Sequence, residues 1–339
     1  MAILLALAIL VVLLAASGIL YQSIGISRDA QRHSALGRFI DIGGRRLHLV
    51  EAGEGSPAVI LESGIAATSL SWSLVQPAVA RFARVCSYDR AGLGWSDSAG
   101  EPHTLEQNMA DLRSLLSAAH ISPPYVLVGH SYGGLLVRAY SARYPSEVAG
   151  LLLVDPLSET HWANAPEEEL RRLHRGVLLS RRGASLARFG LVRFALKLLL
   201  SGATGLPKWI ARTASGSGES VASRLVGEVQ KLPPKYWPMI QAHWSNPKCF
   251  MAMASHLQNL PQNAEALLHM GALPPVPLWI LSAASATPDE IAERDALAHS
   301  SPQGRHVLAP NTGHWIQFDH PELVVDTIRT VLDGARKKV

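Results

Sequence analysis

Five residues, Gly129-His130-Ser131-Tyr132-Gly133, constrain the fold more than any other part of the chain. They follow the apolar run Tyr125 to Val128, which reads as a strand, and they open an apolar stretch of helical spacing that begins near Tyr132. A strand that passes so abruptly into a helix needs a turn so tight that a side chain at Gly129 or Gly133 would strike neighbouring backbone. The residue between the glycines is lifted clear of the strand end. The pattern therefore predicts Ser131 at the rim of a sheet with its hydroxyl presented to a ligand.

Strand and helix alternate on both sides of this turn. Arg38 to Ala52 reads as a two-strand hairpin around Gly43-Gly44, and Pro57 to Leu61 and Arg84 to Tyr88 as short buried strands. Ser71 to Phe82 has helical spacing, and Thr104 to Ala119 is an amphipathic helix that Thr104 would cap, with Gln107 as box partner. A strand at Leu151 to Val154 follows. The pattern returns with a strand at Pro277 to Ser282, a helix from Asp289 to His299, a strand at His306 to Leu308 and a last helix at Pro321 to Leu332. These lengths predict an α/β, doubly wound, mostly parallel sheet. Between Leu157 and Ala272 the reading is almost all helical, with punctuation at Ser201 to Gly205 and Ser215 to Gly218. A helical insertion between two strands of one sheet is a cap. The expected organisation is thus a core of residues 38–156 and 273–339, with a cap of residues 157–272.

Residues 1–20 are apolar except for Ser17 and Gly18, and as a helix they would span about 30 Å, the thickness of a bilayer's hydrocarbon core. A single-pass anchor is favoured over a cleaved signal peptide, because no basic n-region precedes the run and Ala15-Ala16-Ser17 is a poor cleavage site. Residues 21–37 are read as a polar, irregular stalk. Arg28, Arg32, Arg38, Arg45 and Arg46 all follow the span, which by the positive-inside tendency holds the body on the cytoplasmic side; long domains follow that rule poorly, so the side stays open. The net charge of +4 is spread without like-sign runs, which gives no footprint for nucleic acid. Cys86 and Cys249 form no metal spacing and read as buried small hydrophobes.

A serine hydroxyl near neutral pH needs a base in hydrogen-bond reach to act as a nucleophile. His314, in Asn311-Thr312-Gly313-His314-Trp315, follows the last predicted strand, where the chain order serine, acid, histidine puts the base. His320 is a weaker alternative. His130 adjoins the serine, but neighbouring side chains on such a turn diverge, so it reads as packing or pocket wall.

The chain resembles the α/β-hydrolase superfamily, in the branch of capped esterases, lipases, haloalkane dehalogenases and epoxide hydrolases. The resemblance rests on Ser63-Gly64, on Asp89-Arg90-Ala91-Gly92-Leu93-Gly94-Trp95-Ser96, on the Gly129-x-Ser131-x-Gly133 elbow and on Gly313-His314, and covers Gly37 to Gly334 apart from the cap. It implies a catalytic triad and backbone oxyanion donors at Ile65 and Tyr132. Dehalogenases and epoxide hydrolases of this branch carry Asp at the elbow, so Ser131 argues against both reactions. The slot after the Pro277 to Ser282 strand, where most relatives keep the acid, reads Ala283-Ala284-Ser285-Ala286 with no carboxylate. Asp155, at the end of the strand after the nucleophile helix, is favoured over Asp289, which falls in a helix's first turn. The resemblance makes Asp89 and Arg90 turn and support residues.

In the cap, Ala187 to Leu200 sets Phe189, Leu191, Val192 and Phe194 among Arg188, Arg193 and Lys197, a basic segment whose apolar side either lines an acyl pocket or touches a membrane interface. Trp209, Trp237 and Trp244 add apolar bulk. The expectation is hydrolysis of a hydrophobic carboxylic ester through an acyl-enzyme, with no metal or cofactor required. An amidase at the same site and a non-catalytic ligand-binding protein are the alternatives; oligomeric state is not legible.

Overall fold

Gly43 and Gly44 have φ of 93° and 92°, a region costly for any residue with a Cβ, and there the chain reverses. Strands β1 (Arg38–Asp41) and β2 (Arg46–Ala52) consequently pair antiparallel, Arg38 opposite Leu49 and Asp41 opposite Arg46. In the computed structural model, which describes residues 1–98, 100, 102–200 and 227–337, this hairpin forms one edge of an eight-stranded sheet. The other strands are β3 (Ala58–Glu62), β4 (Val85–Tyr88), β5 (Tyr125–His130), β6 (Val148–Val154), β7 (Leu278–Ala283) and β8 (Gly304–Ala309). Their order is β1-β2-β4-β3-β5-β6-β7-β8, and every pair from β4 onward is parallel. The chain winds outward from β3 to β4 on one side and then crosses back to β5 on the other. That reversal opens a crevice at the carboxyl ends of β3 and β5, which is where open α/β sheets bind ligands.

Both faces of the sheet are buried. Val59, Leu61, Val126, Val128, Leu152 and Val154 point to one side, where they meet the long last helix; Ile60, Leu127, Leu151, Leu153 and Ile280 point to the other. Continuous apolar strands of this kind are what a parallel sheet covered by helices on both faces requires. Helices α1 (Ala2–Arg32), α2 (Gln76–Val79), α3 (Leu105–Ala118) and α4 (Tyr132–Arg143) precede β6. The cap holds α5 (Glu159–Ala163), α6 (Glu167–Arg188), α7 (Leu191–Leu200), α8 (Trp237–Trp244) and α9 (Pro247–Leu268). The chain finishes with α10 (Pro288–His299), α11 (Ile316–Asp319) and α12 (Pro321–Arg336). The cap's Gly/Ser punctuation at 201–205 and 215–218, and Trp209, lie outside the described residues.

Two segments differ from expectation. Ser71 to Phe82 is not one helix but a 3-10 turn, Ser69–Trp72, followed by the short α2. Pro77 explains the break: it lacks the N–H that a continuing helix needs, and its ring clashes with the turn before it. Of the expected irregular stalk at 21–37 only residues 33–37 are irregular, since α1 runs unbroken to Arg32. Its polar half is held by the cap: buried Gln22 donates to the Ser245 carbonyl at 2.8 Å and accepts from Arg193 at 2.9 Å, and Arg193 also meets Asp29 at 2.5 Å. At α3, the Thr104 hydroxyl accepts from the Gln107 amide, but the Gln107 side chain turns forward to Asp111, so only half of the expected box forms.

Polar contacts clamp the cap to the core. Asn263 on α9 accepts from the Leu105 amide at 2.9 Å and donates to the Tyr132 hydroxyl at 3.0 Å, and Arg138 on α4 forms a bidentate, buried pair with Glu159 on α5. The same interface buries His103, stacked on His256 with ring centroids 4.5 Å apart, while His243 packs edge-on against Trp95. Burial pushes the pKa of His103 and His243 down to about 4 and that of His130 down to about 3. In the unfolded chain each titrates near 6.5. Between these values the unfolded state binds more protons than the folded state, so stability falls as pH falls, by up to about 1.4 kcal/mol per pH unit for each histidine. Urea unfolding should therefore give a clearly lower midpoint at pH 5 than at pH 7, and replacing His243 with Gln should flatten that slope. An unchanged midpoint across this window would contradict the burial assignment.

Candidate active site

Strand β5 delivers Ser131 into the crevice with φ of 55° and ψ of −121°, a conformation that costs a residue with a Cβ energy that its surroundings must supply. They do so by hydrogen bonds. The Ser131 amide donates to the Val154 carbonyl at 3.0 Å, and the Ser131 carbonyl accepts from Gly134 at 2.9 Å. A Cβ on Gly129 would overlap the backbone of Gly133 and Gly134, and one on Gly133 would overlap the carbonyls of Glu62 and Ser63, so both glycines are required by close approach.

Asp155 follows β6 directly, also at positive φ (41°), and its amide donates to Leu281 on the neighbouring strand at 2.7 Å. Its two carboxylate oxygens have separate tasks. Oδ2 meets His314 Nδ1 at 2.6 Å, while Oδ1 accepts from the Ala283 amide at 3.0 Å and from Arg294 Nη1 at 2.9 Å. Burial pushes the Asp155 pKa upward, but the hydrogen bond and positive field from His314, the Ala283 amide and the Arg294 charge outweigh it and hold the carboxyl below its ordinary range. The structure thus brings Asp155, and not Asp289, to His314; Asp289 is exposed in the first turn of α10. His320 is engaged elsewhere, with Glu322 at 2.9 Å.

The loop after β3 forms the opposite wall. A Cβ on Gly64 would stand 3.3 Å from the Ser131 Cβ, so the Gly64–Ile65 backbone lies beside the serine. Among the described residues neither the Ile65 amide nor the Tyr132 amide has an acceptor. The loop is held from behind by Arg90, which donates to the Ser63 carbonyl at 2.6 Å and to the Gly64 carbonyl at 2.5 Å, and pairs with Glu62. The Gly64 carbonyl and the Ile65 N–H share one peptide plane, so fixing the first aims the second. Arg90 Nε donates in turn to His256 of the cap at 3.2 Å, and His256 Nδ1 donates to the Ala252 carbonyl at 2.7 Å. Asp89 organises the following turn: it accepts from Ser69 at 2.7 Å, from Trp95 at 3.0 Å and from His48 at 2.9 Å.

Three residues have roles that sequence reasoning missed. His130 is buried, with Nε2 donating to the His314 carbonyl at 2.9 Å and its ring 4.7 Å from the His314 ring, so it positions the loop that carries His314. Arg294 orients Asp155 and is itself anchored on the Pro156 carbonyl and the Ser282 hydroxyl, both at 2.8 Å. Tyr132 was singled out for its backbone, yet its buried hydroxyl accepts from both Asn108 and Asn263. Nothing in the local sequence around Arg294 marks it, because its partners lie more than a hundred residues upstream as well as on the adjacent strand.

Ile65 and Trp315 lead from this centre into a cavity of about 310 Å³ beneath the cap. Among the described residues only Thr68, Ser71, Glu228 and His243 interrupt its apolar wall, to which α7 contributes Val192 and Leu196 and α8 contributes Trp244. Trp237 is turned away, donating to the Leu232 carbonyl at 2.9 Å. Cys86 and Cys249 are free and buried. Among the described residues no cluster of His, Cys, Asp or Glu has the arrangement of a metal site.

Comparison with known proteins gives the same architecture. An esterase from Thermogutta terrifontis superposes with a TM-score of 0.60 at 21% identity, covering 88% of this chain and 98% of that one. An epoxide hydrolase from Vigna radiata superposes with a TM-score of 0.66 at 17% identity, covering 87% and 98%. An AB hydrolase superfamily protein from Gibberella zeae is 38% identical over 110 residues, which is 31% of this chain and 34% of that protein. The matching stretches span less than half the length of the curated relatives. Residues 57–321 match the profile of the family described as alpha/beta hydrolase fold. With the sheet order, the elbow and the cap between β6 and β7, that match establishes that the chain belongs to the α/β-hydrolase fold family.

Proposed function

We propose that the protein is a membrane-anchored serine hydrolase that cleaves a carboxylic ester of a hydrophobic substrate through an acyl-enzyme. The observation that carries this reading is the 2.6 Å contact between His314 Nδ1 and Asp155, together with a strained Ser131 and an apolar cavity lined by Ile65 and Trp315 of the adjoining loops. With Nδ1 committed to Asp155, the lone pair on His314 Nε2 is the one available for proton transfer. Ser131 Oγ attacks the ester carbonyl while His314 takes its proton, and Asp155 stabilises the imidazolium. The amides of Ile65 and Tyr132 receive the oxyanion. Collapse of the tetrahedral intermediate expels the alcohol, which leaves with the proton from His314. Water activated by the same nitrogen then releases the acid and restores Ser131. The apolar cavity accommodates the acyl or alcohol chain, and the long apolar helix α1 is the anchor.

A fluorophosphonate probe should label the wild-type protein and not Ser131→Ala. Absence of labelling together with no turnover of activated esters would sink the hydrolase reading in favour of a ligand-binding protein, and turnover of amides with esters untouched would move it to an amidase. Asp155→Asn should lower kcat by about 10⁴ and abolish the strongly downfield Nδ1 proton of His314 in NMR spectra, while Asp289→Asn leaves both intact. The reverse pattern would reassign the acid.

Arg90 and Arg294 give a further test. Lysine at position 90 keeps the charge opposite Glu62 but cannot span the Ser63 and Gly64 carbonyls. Arg90→Lys should therefore lower kcat by about 10²-fold, the scale of a misplaced oxyanion donor, with little change in KM for a short ester. Arg294→Leu should shift the acid limb of the pH–rate profile upward, because Asp155 loses a positive neighbour that helps to depress its pKa. An unaltered profile would show that the arginine only supports the fold.

A further inference from the structure

Helix α1 does not leave the body where its apolar stretch ends. At Gly18 the cap backbone passes so close that a Cβ would overlap the Phe189 carbonyl, and at Gly25 one would overlap the Arg193 guanidinium. Between α1 and the cap helices α7 and α8 lies a second cavity of about 380 Å³, and its wall includes Arg28, Asp29, Arg32, His33, Arg193 and Lys197. Among the described residues four permanent cations thus share the cleft with one carboxylate. That carboxylate is taken by Arg193, whose own Nη2 remains buried without an acceptor. Arg28, Arg32 and Lys197 have no ion-pair partner among the described residues. Gathered like charges repel, and a buried guanidinium nitrogen without an acceptor is costly, so the cleft favours an anion offering several oxygens.

Its position along α1 selects among such anions. The residues from Ala2 to Tyr21 cross about 30 Å, and Arg28 follows roughly 10 Å further along the axis, which a long side chain can bring to the headgroup layer. Level with Gly18, the turn after α6 exposes Phe189 (41%), and the first turns of α7 expose Leu191 (52%) and Phe194 (53%). Apolar residues near the end of the span and cations about one to three turns above it follow the order of a bilayer surface: hydrocarbon, then phosphate.

We propose that the cleft between α1, α7 and α8 binds the phosphate of an anionic phospholipid headgroup and seats the cap on the bilayer. The proposal rests on the reading of α1 as an anchor. It has a consequence for substrate access, because α7 turns Val192 and Leu196 toward the apolar cavity beside the candidate site while Leu191 and Phe194 lie on its outer surface. One helix then separates the lipid from the cavity, and a hydrophobic ester has a short route between them.

The test uses the full-length protein in detergent micelles, read by native mass spectrometry with dioleoyl phosphatidylglycerol and dioleoyl phosphatidylcholine at equal concentration, and with inorganic phosphate as a third arm. The wild type should retain phosphatidylglycerol preferentially. The triple variant Arg28→Gln/Arg32→Gln/Lys197→Gln should lose about fivefold of that preference per cation removed, with fluorophosphonate labelling of Ser131 unchanged as proof of folding. Equal retention of the two lipids by the wild type, or an undiminished preference in the triple variant, would overturn the proposal. Displacement of the lipid by millimolar inorganic phosphate would assign the cleft to a soluble phosphate instead, against the proposal. Alkaline carbonate extraction separates the two readings: release of the full-length protein from membranes defeats the anchor, whereas a carbonate-resistant protein without lipid preference defeats only the cleft.

Discussion

Arg90 carries a full positive charge into the core at the point where the sheet reverses its winding, buried together with Glu62. A charge placed there is destabilising by several kcal/mol unless every donor finds an acceptor. That requirement shapes its surroundings. The loop after β3 must turn its Ser63 and Gly64 carbonyls inward, the Tyr88 hydroxyl must donate a hydrogen bond to Glu62, and the cap must bring the unprotonated nitrogen of His256 within reach. Core, loop and cap are therefore specified together by one guanidinium. The ring of Tyr132 also lies against it, 5.3 Å from ring centroid to guanidinium carbon, so both backbone amides that flank Ser131 are positioned with reference to Arg90.

The parts of this arrangement that were legible in the sequence are those dictated by a few consecutive residues. Gly129 and Gly133 permit only one kind of turn, apolar runs of strand length in a both-faces-buried sheet have only one place to go, and chain order puts His314 after the last strand. Asp155 could be favoured over Asp289 because the family resemblance offers an acid slot at the end of the strand after the elbow helix, whereas a carboxylate in a helix's first turn is already explained by the helix. Arg294 and His130 act through partners whose nearness depends on the register of β6 with β7 and on the path of the 310–315 loop. No local pattern encodes such distances. Residues 21–32 are instructive in the same way: their polar composition suggested an irregular tether, but Gln22 and Asp29 are helical because Ser245 and Arg193, more than a hundred residues later, satisfy their side chains.

The hydrogen bonds that aim His314 also limit how the site can vary. His130 must donate from Nε2 to the His314 carbonyl, which leaves Nδ1 unprotonated and buried without a donor to its lone pair. Protonation there would add a charge directly beside the His314 ring, and burial resists it by pushing the pKa down to about 3. His130 therefore stays neutral across the physiological range and constrains position without contributing charge. Against the burial that raises the Asp155 pKa, the carboxylate is held ionised first by His314 at Oδ2 and then, at Oδ1, by the Ala283 amide and by Arg294, which does not compete for Oδ2.

Helix α7 follows a different logic, because neither of its faces is satisfied by the core alone. Gly190, at φ of 73°, turns the chain sharply after α6 and brings α7 back alongside α1. Arg193 then points at α1, Val192 and Leu196 point at the apolar cavity, and Leu191 and Phe194 face outward. An isolated helix of ten residues with this division would be marginal in water. Its stability must come from its neighbours, and two of those neighbours are helix α1 and the residues around the apolar cavity. Anything that alters how α1 is held, including the charge state and occupancy of the cleft around Arg193, is therefore transmitted to the wall of the cavity through a single helix. That coupling follows from packing, and with α1 read as the proposed anchor it makes the cap the element that links a membrane to the candidate site.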